Sequence, residues 1–80
     1  MSEWLAAAAC RLAEAVGDAP SAYGLGEAES EALLGLAGAA ARESGARTNA
    51  PLVCYLVGLA QGRHPESGLG ELVAKARGGG

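Results

Sequence analysis

The chain has 80 residues, enough for one small domain that buries only about 60 to 65% of the surface its unfolded form exposes. Its net charge is −3 and its six Lys and Arg residues are scattered, which argues against nucleic-acid binding. Half of the residues are apolar, but most of these are Ala and Leu and none is Phe. We therefore expect a thin core that gains stability from a partner or from a second copy of the chain.

The N-terminal residues lack the basic start and apolar run of a signal peptide, and the most apolar segment is shorter than the roughly 20 residues that span a bilayer. These features predict a cytoplasmic protein. Cys10 and Cys54 form no Cys-x-x-Cys pattern, so two reduced thiols are expected rather than a disulfide framework or a zinc site.

The first predicted helix covers residues 3–16, with Ser2 as N-cap and Gly17 as its stop. A helical wheel gives it an apolar stripe of Leu5, Ala9, Leu12 and Val16, flanked by Trp4 and Ala8. Residues 18–26 contain Pro20 and two glycines and are predicted to be a loop, anchored by Tyr23 and Leu25.

The second predicted helix covers residues 27–44, with acidic residues in its first turns, Arg42 in its last turn and Gly45 just beyond. Gly35 and Gly38 lie inside it and each costs about 0.5 to 1 kcal/mol relative to Ala. The simplest explanation for these glycines is the close approach of another helix.

The third predicted helix covers residues 50–61 and is apolar nearly all round, with Thr48 or Asn49 as N-cap, Pro51 in its first turn and Gly62 as its stop. Its main core face is predicted to consist of Leu52, Tyr55, Leu56 and Leu59. The opposite side is small and nearly uncharged, and consists of Cys54, Val57, Gly58 and Gln61. We expect a central helix whose small side packs against another helix or a partner chain.

A fourth, short helix is predicted at 66–77, with Pro65 at a first helical position, followed by a disordered tail at 78–80. No strand alternation of useful length occurs. The predicted class is therefore all-α: a single domain, 1–80, forming a small bundle of three main helices and a short C-terminal one.

No catalytic set is recognisable. His64 could pair with Cys10 or Cys54, but its place beside Pro65 at a predicted helix start is typical of a capping or solvated histidine. Three soft ligands also fall short of a tetrahedral zinc set. We expect a protein that is not an enzyme and that has no catalytic residue, metal or cofactor.

Arg47 is the most suggestive polar residue, because it precedes the N-terminus of the third helix, where backbone N–H groups attract anions. Arg47 and Asn49, with Tyr55 nearby, could form an anion or ligand corner. The alternative is that Arg47 pairs with Glu43 or lies in solvent.

Three segments carry a family resemblance: Trp4-Leu5, Leu33-Leu34-x-Leu36-Ala37, and Arg47-x-x-Ala50-Pro51-Leu52-x-x-Tyr55-Leu56-Val57-Gly58-Leu59-Ala60-x-Gly62. They resemble a family of small uncharacterised bacterial helical domains, found alone or at the C-terminus of molybdenum-cofactor guanylyltransferases, which make molybdopterin-guanine dinucleotide. The family tends to have His where Glu43 stands and Pro where Thr48 stands. The transferase's own Gly-rich signature is absent, so the resemblance implies only a neighbourhood in cofactor biosynthesis.

The favoured function is a non-enzymatic accessory domain that binds a protein of that pathway. The predicted partner-binding residues are the small side of the third helix and the Arg47 corner: Arg47, Asn49, Cys54, Val57, Gly58 and Gln61. One alternative is a self-associating module, a symmetric homodimer through the same small side. A third possibility is an anion or small-ligand module at Arg47, Asn49 and Tyr55.

Overall fold

A computed structural model of the chain describes residues 2–77. It contains four α-helices: α1 (Glu3–Val16), α2 (Glu27–Ser44), α3 (Asn49–Arg63) and α4 (Leu69–Ala76). A short 3-10 helix spans Pro20–Tyr23, and no strand occurs among residues 2–77. The predicted all-α class is therefore confirmed. The predicted tail at 78–80 lies outside the described residues.

The helices belong to two compact units that divide between Ser30 and Glu31, within α2. In the first unit, α1 has the bounds that the sequence predicts, because both of its caps form. The Ser2 hydroxyl accepts a hydrogen bond from the Leu5 N–H at 3.2 Å. Gly17 adopts a left-handed conformation with φ 81°, and its N–H donates to the Ala13 carbonyl.

The segment after α1 is more ordered than the predicted loop, since the 3-10 helix occupies its middle. The Tyr23 hydroxyl donates a hydrogen bond of 2.7 Å to Asp18 Oδ2 and so closes this segment on itself. At the start of α2, the Gly26 N–H donates to Glu29 Oε1 at 2.8 Å, which satisfies one of the unpaired donors of that helix end.

Tyr23 and Leu25 are half-buried, and they line a cleft of about 170 Å³ together with Leu5, Ala8, Ala9 and Leu12 of α1. The predicted anchoring role of these two residues is confirmed. The predicted apolar stripe of α1 is only partly covered, however, because Leu12, Val16 and Trp4 remain largely exposed.

The core of the second unit is formed by one or two residues from each of its three helices. Leu36 of α2, Val57 of α3, and Leu69 and Val73 of α4 are buried together. A surrounding ring of partly buried side chains consists of Ala32, Leu33, Val53, Cys54 and Leu72. The core is as thin as the composition suggests, with no aromatic residue in either group.

Two helix boundaries differ from the prediction by more than one residue. α3 continues through Gly62 to Arg63, and the His64 N–H still donates to the Ala60 carbonyl at 2.9 Å. Pro65 does not start a helix, because the Ser67 N–H donates to the His64 carbonyl at 2.9 Å and closes a turn with Pro65 at its second position. α4 then starts at Leu69, after Gly68 in an extended conformation.

The close approach of another helix that is predicted at Gly35 and Gly38 is not found within residues 2–77. A Cβ atom added at Gly35 or Gly58 would meet nothing within 4 Å, and one at Gly38 would meet only Arg42 Nη1 of its own helix, at 3.2 Å. No other helix approaches these glycines closely in the part of the chain that is described.

Candidate docking surface

The inner side of α3 faces α2. Val57 is buried in the core of the second unit, and Cys54 is half-buried beside it. The Cys54 thiol lies 3.8 Å from the Leu33 carbonyl of α2, to which it donates a weak hydrogen bond. This side of the helix therefore packs against another helix of the same chain.

The outer face of α3, defined here as Leu52, Tyr55, Leu56 and Leu59, lies in solvent. The exposed fractions of these side chains are 60, 68, 59 and 46%, respectively. The prediction that they form the core face is wrong. Because α3 is apolar nearly all round, a helical wheel does not show which side the other helices cover, and side-chain size alone wrongly favours the side with the larger residues as the core face.

Two shallow apolar grooves run beside the outer face. One, of about 580 Å³, lies between α2 and α3, and its lining residues are Ala40, Glu43, Ser44, Asn49, Leu52, Val53 and Leu56. The other, of about 440 Å³, lies between α3 and α4, and its lining residues are Val53, Leu56, Val57, Ala60, Leu72, Lys75 and Ala76. Leu56 lines both grooves, so the outer face and the grooves form one continuous apolar surface.

Charges are few and lie at the margins of this surface. Glu43 is the single acidic residue in the α2/α3 groove and Lys75 the single basic residue in the α3/α4 groove. Arg63 ends α3 and stands seven residues after Leu56, which places it in line with the outer face. The pairing of Arg47 with Glu43 does not form, since within residues 2–77 the close contact between a basic and an acidic side chain is that of His64 with Glu66.

The predicted partner-binding residues are divided by the fold. Val57 is buried in the core and Cys54 packs on α2, so the prediction that they present a partner-binding side is wrong. Gly58 is exposed and Gln61 is half-buried, at the edge of that side. α2 covers Cys54 and Val57, so this part of the small side packs against another helix of the same chain, which is one of the two outcomes expected for it.

The predicted anion or ligand corner is not assembled as one pocket. Asn49 lines the α2/α3 groove, whereas Arg47 and Tyr55 do not. Asn49 and Tyr55 are six residues apart on α3, so their side chains point to different sides of the helix. Arg47 is exposed.

A third groove of the second unit, which the sequence does not predict, separates α2 from α4. It measures about 430 Å³, and its lining residues are Glu31, Ala32, Gly35, Gly70, Val73, Ala74 and Arg77. Its small residues and the opposite charges of Glu31 and Arg77 are visible in the sequence, but their closeness depends on helix packing that the sequence does not show.

The potentially reactive side chains are dispersed. His64 Nδ1 lies 3.5 Å from Glu66 Oε2 at an exposed turn, and Cys10 and Cys54 are free thiols. The Asp18 carboxylate, which accepts the hydrogen bond from Tyr23, raises the pKa of that tyrosine above its usual 10.0. Residues 2–77 contain no group of three or more His, Cys, Asp or Glu side chains placed to hold a metal ion.

None of the helices described here combines the length and apolar character needed to cross a bilayer. No curated protein and no solved structure matches the chain. One protein family does, over nearly the whole length: its description is "Domain of unknown function (DUF6457)", and the match covers residues 1–78. The chain therefore belongs to that family of uncharacterised domains.

Proposed function

We propose that this protein is a non-enzymatic protein-interaction domain that binds its partner through the outer face of α3. The observation that carries the proposal is the exposure of Leu52, Tyr55, Leu56 and Leu59 along one side of a helix otherwise packed on α2 and α4. Large contiguous apolar patches are uncommon on soluble monomers and mark interaction sites.

The energetics favour a covered outer face. Fully burying a Leu side chain contributes about 1.5 to 3 kcal/mol, and most of this contribution is unused at Leu52, Leu56 and Leu59. The core of the second unit consists of four buried side chains, so its stability is small. A partner that covers the outer face would add stability in proportion to its affinity and concentration.

The finer proposal is that the partner is a protein of molybdenum-cofactor biosynthesis, with the guanylyltransferase as the first candidate and the cytoplasm as the compartment. It rests on the resemblance carried by the motif from Arg47 to Gly62. Four residues of that motif, Leu52, Tyr55, Leu56 and Leu59, are the outer face itself. The two free thiols are consistent with a reducing compartment.

The test is coexpression with the guanylyltransferase of the same genome, followed by calorimetric titration of the purified pair. Leu56→Glu places a charge at the centre of the outer face and is expected to weaken binding at least tenfold, or about 1.4 kcal/mol. Leu34→Glu is the matched control, because Leu34 of α2 is 72% exposed and lines none of the grooves described above.

Equal binding of the two variants would contradict the use of the outer face. Leu34→Glu is expected to bind like the wild type, and circular dichroism of both variants checks that the loss of binding in Leu56→Glu does not reflect unfolding. If the guanylyltransferase does not bind the wild-type chain, the partner assignment fails, and the outer face is then tested on other maturation proteins of the same pathway.

A further inference from the structure

We infer that, when no pathway partner is bound, a second copy of this chain occupies the outer face, with the two α3 helices packed antiparallel across a two-fold axis, so that dimer and partner compete for this surface. The inference rests on the proposed function, because it takes the outer face as the docking surface and names what covers it. Three features of the second unit support it: the spacing of the outer face, the position of two unpaired charges and the side on which the grooves lie.

The spacing of the outer face is symmetric along the helix. Its four residues follow an i, i+3, i+4, i+7 pattern whose midpoint lies between Tyr55 and Leu56. A two-fold axis at that midpoint, perpendicular to α3, places Leu52 of one copy opposite Leu59 of the other. On one flank of the contact between the two helices, Tyr55 meets Tyr55 of the other copy. On the opposite flank, Leu56 meets Leu56 of the other copy. A self-complementary patch of this kind is what an isologous interface requires.

The charges agree with the antiparallel direction. Glu43 lies beside Asn49 and Leu52, at the N-terminal end of α3, and Arg63 lies at its C-terminal end, in line with the outer face. Both side chains are exposed, and neither forms an ion pair within residues 2–77. The antiparallel arrangement brings Arg63 of each copy next to Glu43 of the other. A parallel arrangement would instead keep Glu43 and Arg63 at opposite ends of the interface, so that no opposite charges would meet across it.

The grooves lie on the side of the interface where the symmetry brings Leu56 and its counterpart together. A stable interface buries about 800 Å² on each partner, more than four side chains supply. Leu56 borders both grooves, so the second copy can extend its contact along them. Because the outer face itself supplies only four side chains, we expect a dimer of micromolar affinity rather than an obligate one.

Sedimentation velocity of the full chain across the micromolar range is the first test. The wild type and Leu34→Glu are expected to shift from monomer to dimer with concentration, and Leu56→Glu is expected to stay monomeric. A wild type that stays monomeric at every concentration would overturn the inference. So would a Leu34→Glu variant that loses the dimer while Leu56→Glu keeps it.

A charge exchange tests the direction of packing. Glu43→Arg and Arg63→Glu are each expected to raise the dimer dissociation constant about tenfold, because each creates a like-charge contact across the axis. The double variant restores opposite charges and is expected to return close to the wild-type value. Both positions are exposed, so unfolding is not expected to obscure the result. Additive losses in the double variant would rule out the antiparallel arrangement.

Cross-linking tests the axis itself. In a Cys10→Ser, Cys54→Ala background, Tyr55→Cys is expected to form a disulfide dimer on mild copper-phenanthroline oxidation, since the two positions lie side by side. Leu34→Cys is the control and is expected to remain monomeric. Cross-linking at position 34 but not at 55 would contradict the proposed axis. If the wild type forms no dimer but Leu56→Glu still weakens binding of the guanylyltransferase, this inference fails and the proposed function stands.

Discussion

α3 and α4 use their apolar residues in opposite ways. α4 has eight residues and buries two of its larger side chains, Leu69 and Val73. α3 has fifteen residues and a larger number of large apolar side chains, yet only Val57 is buried. The difference is one of direction: the apolar residues of α4 share one side that faces the core, whereas those of α3 surround the helix.

The comparison shows that apolar content alone does not identify the core of a small domain. The core is set by which side of a helix its neighbours can reach, and in the second unit both α2 and α4 pack on the Val57 side of α3. The outer face of α3 is left exposed.

The largest expected effect is the difference in stability between a core substitution in α4 and an outer-face substitution in α3. Leu69→Ala in α4 is expected to lower the free energy of unfolding by about 2 to 5 kcal/mol, because it leaves a cavity in the core. A domain of this length has a total stability of about 4 to 12 kcal/mol, so this loss is a large fraction of it. Leu56→Ala in α3 is expected to cost less than about 1 kcal/mol at concentrations where the chain is monomeric. Urea denaturation followed by circular dichroism measures both, and equal losses would break the comparison.

The next largest expected effect is a gain in stability from a substitution at an exposed position of α3. Gly58→Ala is expected to raise the free energy of unfolding by about 0.5 to 1 kcal/mol, since Gly58 is in a helix interior and an added Cβ has open space. Gly70→Ala in α4 has equally open space but lies in the first turn, where the gain is smaller. Thermal unfolding of the two variants shows which substitution stabilises the chain more. A destabilised Gly58→Ala would reveal a close neighbour of the helix at that point.

Thiol reactivity distinguishes the inner side of α3 from an exposed helix surface. Cys54 is half-buried with its thiol directed at the Leu33 carbonyl, whereas Cys10 is exposed on α1. Alkylation followed by mass spectrometry is expected to modify Cys10 first and Cys54 more slowly, with the two rates converging in denaturant. Faster labelling of Cys54 in native conditions would show that the inner side is not covered.

The smallest effect concerns the two tyrosines. In a Tyr55→Phe variant, Tyr23 is the only tyrosine left, and its pKa is expected above the usual 10.0 because of the Asp18 hydrogen bond. The stability that this bond contributes is fully present below pH 10 and is lost as pH rises through the raised pKa. Ultraviolet titration of the phenol measures the pKa, and Asp18→Ala is expected to lower it toward its usual value. An unchanged titration in Asp18→Ala would exclude the carboxylate as the cause.

The sequence predicts elements best where local chemistry decides them. The bounds of α1 follow from Ser2 and Gly17, whose capping roles depend only on neighbours in the chain. Pro65 misleads because proline suits both a helix start and the second position of a turn, and the bond from the Ser67 N–H selects the turn.

The docking surface could be predicted only in part. The pattern from Leu52 to Leu59 is plain in the sequence, but its orientation is not, because no charged residue within α3 marks a solvent side before Arg63. Glu43 comes from α2 and joins this surface through tertiary packing, a relation with no local signal. Cys54 and Val57 are inward because α2 approaches that side.

The position of the single tryptophan has a practical consequence for spectroscopy. Trp4 lies on α1 in the first unit, and its side chain is 73% exposed. Its emission therefore reports local solvent around that helix and responds weakly to melting of the aromatic-free core formed by Leu36, Val57, Leu69 and Val73. A tryptophan at position 55, introduced by Tyr55→Trp, would give the second unit a fluorescence signal of its own. Its emission maximum would shift to shorter wavelength when a neighbouring molecule excludes water from it.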